Sequence, residues 1–131
     1  METIINGVKT NYQVFGKGKP ILILHGWGSN SDRWVKIAEL ISSKEFKVIV
    51  PDLPGFGQSA TLETAWTMNN YINWLEEFVK ELNLGEFCLM GHSFGGALAV
   101  KFSIKHPQNV EKLFLVAAAS VRKRTTKKRI L

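Results

Sequence analysis

The segment Phe87-Cys88-Leu89-Met90-Gly91-His92-Ser93-Phe94-Gly95-Gly96-Ala97-Leu98-Ala99-Val100 governs the reading of the whole chain. Its first four residues are apolar without alternation, as in a strand covered on both faces. From about Phe94 to Lys105 the pattern is helical and apolar nearly all round, with Pro107 just past its end. Only Gly91, His92 and Ser93 separate strand from helix, so Gly91 to Gly95 form a G-x-S-x-G turn in strand-turn-helix context. Such a tight reversal forces the serine into a strained conformation, and small neighbours at Gly91 and Gly95 let the backbones pass closely. The Ser93 hydroxyl is thereby lifted clear of the sheet. It sits at a helix N-terminus, whose free amides and partial positive charge stabilise a developing alkoxide or oxyanion.

Outward from this turn, short apolar runs alternate with helical patterns, the rhythm of βαβ units in one domain. Two opening strands, Thr3 to Ile5 and Lys9 to Phe15, flank Asn6-Gly7, a dipeptide that favours an antiparallel hairpin. The runs Ile21 to Leu24, Val48 to Val50, Phe87 to Met90 and Leu113 to Val116 read as a parallel sheet. A helix is expected from Arg33 to Ile41, capped by Ser31 or Asp32, with Trp34, Ile37, Ala38 and Ile41 on its inner face. A longer one from Thr67 to Leu82 places Met68, Tyr71, Ile72, Leu75, Val79 and Leu82 inward, and Asn83 and Gly85 stop it.

Three motifs follow successive strands: His25-Gly26-Trp27-Gly28, then Asp52-Leu53-Pro54-Gly55-Phe56-Gly57-Gln58-Ser59, then Gly91 to Gly96. In this order the chain resembles the α/β-hydrolase superfamily, in its branch of small serine esterases. The resemblance covers nearly all of the chain. It implies an α/β-hydrolase fold, a mostly parallel sheet with an N-terminal antiparallel hairpin, flanked by helices and truncated after about the sixth strand. Residues 1–120 would form the N-terminal part of the domain, and 121–131 the start of a cap or lid.

The resemblance also implies roles. Ser93 would be the nucleophile, and the backbone amides of Trp27 and Phe94 the oxyanion hole. Gly26 and Gly28 would let the loop come close, while the Trp27 side chain could line the substrate pocket or be an ordinary core or rim tryptophan. His25 would support the oxyanion loop rather than act as base. His92 would turn to the far side of the elbow as a structural residue, and His106 would end a helix away from Ser93. Asp52 would brace the Pro54 to Gly57 turn. With serine at position 93, where epoxide hydrolases and haloalkane dehalogenases have aspartate, acyl transfer on a small ester-like substrate is favoured. No cofactor is implied, and no Cys/His/carboxylate cluster has metal-ligand spacing.

The family's acid and histidine lie after later strands, and no acidic residue or histidine occurs between Lys112 and Leu131. The 131 residues are therefore expected to present the nucleophile without its base. The sixth strand would form an apolar edge open to self-association or a partner chain, so the competing reading is a non-catalytic half-domain used in binding or assembly. The net charge of +6 comes from Arg122, Lys123, Arg124, Lys127, Lys128 and Arg129, since residues 1–120 hold eleven cationic and eleven acidic side chains. No aromatic residue interleaves that tail, so nucleic acid is not expected as a partner. No apolar run approaches the roughly 20 residues of a transmembrane span. The N-terminus lacks signal-peptide character and Cys88 stands alone, so a cytoplasmic location is expected, with Cys88 packed inside.

Overall fold

Asn6 and Gly7 both adopt positive φ, 48° and 76°, the conformation that a two-residue hairpin turn requires. They join β1 (Glu2–Ile5) to β2 (Val8–Gly16) in antiparallel register. The structure, a computed structural model, describes residues 1–118. The basic run at 122–129, the expected cap or lid start at 121–131, and Ala119 and Ser120 lie outside the described residues.

After the hairpin come β3 (Lys19–Leu24), β4 (Phe46–Pro51), β5 (Phe87–His92) and β6 (Val110–Val116), mutually parallel where they pair. The sheet order is β1-β2-β4-β3-β5-β6, with β2 joining β4 antiparallel. The chain thus crosses one way from β3 to β4 and the other way from β4 to β5. With right-handed crossovers, opposite directions send the connecting helices to opposite faces. On one face α1 (Val35–Ile41) sits over Ile21, Ile23, Val48, Val50 and Cys88, with Trp34 and Ala38 in the same cluster. On the other, α2 (Met68–Glu81) and α3 (Phe94–Lys105) cover Leu22, Leu24, Ile49 and Leu89. This division explains why the central strands read as continuous apolar runs. It also opens a crevice at the C-terminal ends of β3 and β5, where parallel sheets of this kind bind ligands.

Local departures from the sequence reading have physical causes. The first helix does not begin at a Ser31 or Asp32 cap: Ser31–Trp34 form a 3₁₀ turn, and α1 starts only at Val35. Both expected capping side chains are engaged by Gln13, whose Nε2 donates to Ser31 Oγ at 3.0 Å and to Asp32 Oδ1 at 2.8 Å. Ile37, expected inside, is 42% exposed. In α2 the buried stripe is wider than expected and includes Trp74 and Phe78, whose rings stack at 5.3 Å. Trp74 Nε1 donates to the buried Thr10 Oγ1 at 3.1 Å, which satisfies its polar edge. Thr67 and Asn70 cap α2 reciprocally. Cys88 is buried, as expected. Strand β6 differs from its parallel neighbours: Leu113, Phe114, Leu115 and Val116 are all more than a third exposed. Among the described residues it pairs only with β5. No described helix is long and apolar enough to cross a membrane.

Candidate active site

Ser93 joins the last residue of β5 to the first of α3 and adopts φ 51°, ψ −116°. Backbone of this kind in a non-glycine residue costs on the order of 1–3 kcal/mol and persists only where the surroundings impose it. They do so from both sides. The Ser93 amide donates to the Val116 carbonyl at 3.1 Å, and its own carbonyl accepts from the Gly96 and Ala97 amides at 2.9 and 3.1 Å. A Cβ at Gly91 would overlap the Gly95 carbonyl, and one at Gly95 would overlap the carbonyls of Leu24 and His25. Helix α3 can therefore seat against β3 and β5 only with glycine at both positions. Among the described residues no hydrogen bond engages Ser93 Oγ.

The loop after β3 lies against this elbow. A Cβ at Gly26 would stand 3.3 Å from Ser93 Cβ and 3.1 Å from His92 Nδ1, so the loop backbone touches the serine. Gly28 has open space around it, and its φ of 74° rather than close approach accounts for glycine there. Neither the Trp27 amide nor the first amide of α3, that of Phe94, has a backbone acceptor among the described residues. Both flank Ser93 in sequence or in space. The Trp27 ring is 64% exposed and meets Phe56 and Phe94 edge-on at 4.8 and 5.2 Å, a rim position rather than a core one.

His25 is fully buried, and both of its ring nitrogens are occupied. Nε2 accepts from the Leu53 amide at 2.9 Å, so the ring proton sits on Nδ1, which donates to the Gly26 carbonyl at 2.8 Å. Burial holds its pKa below the usual histidine value, against the smaller opposing pull of the Gly26 carbonyl. A neutral ring therefore ties the loop after β3 to the loop after β4. His92, expected on the far side of the elbow, lines the same cavity as Ser93 and tilts against Trp34 at 5.8 Å. His106 ends α3 and approaches Glu76 at 3.5 Å, away from this cavity.

Asp52, at the end of β4, gathers three donors: the Ser31 amide on Oδ1 at 2.7 Å, and the Asn11 side-chain amide and Gln58 amide on Oδ2 at 3.0 and 2.9 Å. A Cβ at Gly57 would collide with this carboxylate. Burial would raise the Asp52 pKa, but the converging donors outweigh it and hold the carboxyl below its ordinary value. Ser59 Oγ donates to the Asp52 carbonyl at 2.6 Å and accepts from the Asn11 amide at 3.0 Å. The sequence assigns no role to Asn11 or to Ser59, the last residue of the motif that starts at Asp52. Their one signal is polarity at positions where β2 and the turn meet the core.

Two cavities flank the Trp27 ring. One, of about 380 Å³, is lined by Gly26, Trp27, Arg33, Trp34, His92 and Ser93 among others. The second, of about 400 Å³, is bounded by Trp27, Phe56, Leu62, Trp66 and Tyr71, with the Tyr71 hydroxyl donating to the Pro54 carbonyl at 2.9 Å.

The sequence pattern of the α/β-hydrolase fold matches residues 19–127. An uncharacterized protein of Mycobacterium tuberculosis is 34% identical over 119 residues, which cover 91% of this chain and 35% of that protein. The 2-hydroxy-6-oxo-6-(2'-aminophenyl)hexa-2,4-dienoic acid hydrolase of Metapseudomonas resinovorans is 31% identical over 127 residues, 92% of this chain and 43% of its own length. Among solved structures, Est816, described as an N-acyl homoserine lactone degrading enzyme, superposes with a TM-score of 0.82 at 25% identity, covering 90% of this chain and 45% of that one. The chain thus spans less than half the length of these relatives. On the pattern matched over residues 19–127, it belongs to the α/β-hydrolase fold family.

Proposed function

We propose that these residues form the nucleophile-bearing part of a serine hydrolase that cleaves an ester-like substrate through an acyl-enzyme on Ser93. One observation carries the reading: the strained backbone of Ser93, held by three backbone hydrogen bonds, to Val116 of β6 and to Gly96 and Ala97 of α3, with its hydroxyl unengaged among the described residues. In the reaction Ser93 Oγ attacks the substrate carbonyl, a C–O bond forms, and the hydroxyl proton passes to a base. The Trp27 and Phe94 amides donate to the oxyanion so created, and losing one such donor costs roughly 100- to 1000-fold in rate. Collapse releases the alcohol, which takes up the proton, and water then hydrolyses the acyl-serine. His25 and Asp52 are positioning residues, since both are engaged in holding the flanking loops. His92 supports the Gly26 backbone from the cavity side.

The base and its carboxylate partner are not supplied by these 131 residues: no described histidine is hydrogen-bonded to Ser93, and residues 113–131 contain neither histidine nor carboxylate. Hydrolysis of p-nitrophenyl acetate tests this. The 131-residue chain should show only a residual acceleration, on the order of 10³-fold over water, which the oxyanion amides and binding carry and which Ser93→Ala should therefore largely retain. Turnover near 10 s⁻¹, typical of complete enzymes, would overturn the missing base, and the absence of any acetyl adduct on the Ser93 peptide after prolonged incubation with the ester would overturn the nucleophile.

A second reading is favoured by β6, whose apolar residues Leu113 to Val116 are exposed on both faces. A chain with such an edge would act by assembly, pairing β6 with another strand. Light scattering of Phe114→Lys distinguishes the two, because assembly through β6 predicts a fall in molecular mass that leaves Ser93 chemistry untouched.

A further inference from the structure

The cavity beside Ser93 has an electrostatic character that the nucleophile does not require. Arg33 stands on its wall, in the 3₁₀ turn Ser31–Trp34, and among the described residues no carboxylate lines it. Two acidic side chains of this loop region accept from other donors. Asp32 Oδ1 accepts from Gln13 Nε2 at 2.8 Å, and the Asp52 carboxylate is filled by Ser31, Asn11 and Gln58. Among the described residues Arg33 takes part in no ion pair. Its surroundings are aromatic and apolar: Trp27 and Ile37 line the same cavity, and Trp34 lies against His92 at 5.8 Å. The Arg33 side chain is exposed, and its guanidinium presents a planar fork that matches a carboxylate in two parallel hydrogen bonds.

We propose that the cavity beside Ser93 selects esters that carry a carboxylate, with Arg33 as the residue that binds it. The inference rests on Ser93 as nucleophile for its meaning in catalysis, but Arg33 binds the anion whether or not Ser93 reacts. A cavity of about 380 Å³ accommodates an ester of a short dicarboxylic acid, with the reacting carbonyl towards Ser93 and the free carboxylate towards Arg33. An ester whose alcohol bears the carboxylate satisfies the same chemistry from the leaving-group side. Arg33 is then a specificity residue that discriminates charged from neutral substrates of equal size.

The test is calorimetric titration of the 131-residue chain with three small esters: monomethyl glutarate, 4-acetoxybutanoate and the neutral methyl pentanoate. At low ionic strength at least one anionic ester should bind about two- to fivefold more tightly than the neutral one, as expected for a charge-assisted contact to an exposed guanidinium. The arm that shows the preference assigns the carboxylate to the acyl or the alcohol side. Arg33→Gln should abolish the preference, Arg33→Lys should retain part of it, and Ser93→Ala should leave it in place. Equal affinity for anionic and neutral esters, a preference that survives Arg33→Gln, or no saturable binding of either anion would each overturn the proposal. Failure of Ser93 to react with an uncharged fluorophosphonate, with the preference intact, would instead overturn the nucleophile and leave the anion site standing.

Discussion

Replacing Asp52 by alanine removes the acceptor on which three loops converge, and its effect can be worked from the hydrogen bonds. The Ser31 amide and the Asn11 side-chain amide are both buried and would lose their partners, whereas Gln58 is exposed and its amide can turn to water. A buried donor left unsatisfied costs about 1–3 kcal/mol, so Asp52→Ala should destabilise the fold by about 3–5 kcal/mol once the lost packing against Gly57 is included. Asp52→Asn keeps the shape. With its carbonyl oxygen at the Oδ2 position it still accepts from Asn11 and Gln58 and fails only towards Ser31, a loss of about 1–2 kcal/mol. Urea unfolding followed by tryptophan fluorescence reads both. With a slope of about 2 kcal/mol per molar, the alanine variant's midpoint should fall by about 2 M and the asparagine variant's by less than 1 M. A shift under about 0.5 M for Asp52→Ala, or an equal fall for both variants, would refute the bracing role.

Four further outcomes follow from the same coordinates. Because the folded Asp52 carboxyl titrates below its unfolded value, its contribution is fully present above about pH 4 and is lost as pH falls through the folded pKa; wild type should lose this acid-range stability and Asp52→Asn should not. For His25 the folded pKa is also lowered, so the unfolded chain gains the proton first and stability should decline as pH drops below about 6.5; nitrogen NMR should find the neutral Nδ1–H tautomer persisting to lower pH in the folded than in the unfolded chain. Gly95→Ala should prevent folding or cost more than about 3 kcal/mol in denaturation, because its Cβ meets backbone carbonyls, whereas Gly28→Ala, with open space and φ 74°, should cost only about 1–2 kcal/mol. Thr67→Ala, which removes the cap of α2, should lower stability by about 1 kcal/mol in the same assay.

The parts of this fold that were legible in sequence are those fixed by local chemistry. The Phe94–Lys105 helix matches its expected bounds because the turn at Ser93 sets its start and Pro107 follows its end. The Asn6-Gly7 hairpin was equally readable, since few dipeptides tolerate two positive φ values. What escaped depends on partners distant in sequence. Gln13 reaches across 18 positions to Ser31 and converts an expected cap into a 3₁₀ turn. Trp74 and Phe78 fell outside a stripe drawn at three- and four-residue spacing, because α2 is contacted by both the sheet and α3 and so buries a broader face. In the candidate site, the elbow and the glycines of the loop after β3 announced themselves by spacing. Asn11, 41 positions from Asp52, and Arg33 on the cavity wall did not, because nothing local distinguishes them from ordinary surface residues.

The central claim is that Ser93 is a nucleophile presented by the fold. Treatment with an uncharged fluorophosphonate, followed by peptide mass mapping, tests it most directly. The account predicts a single adduct on the peptide containing Ser93, formed slowly for want of a base, and absent both from Ser93→Ala and from urea-unfolded chain. An adduct that appears instead on Ser59 or Ser103, or no adduct on the folded chain at all, would contradict it.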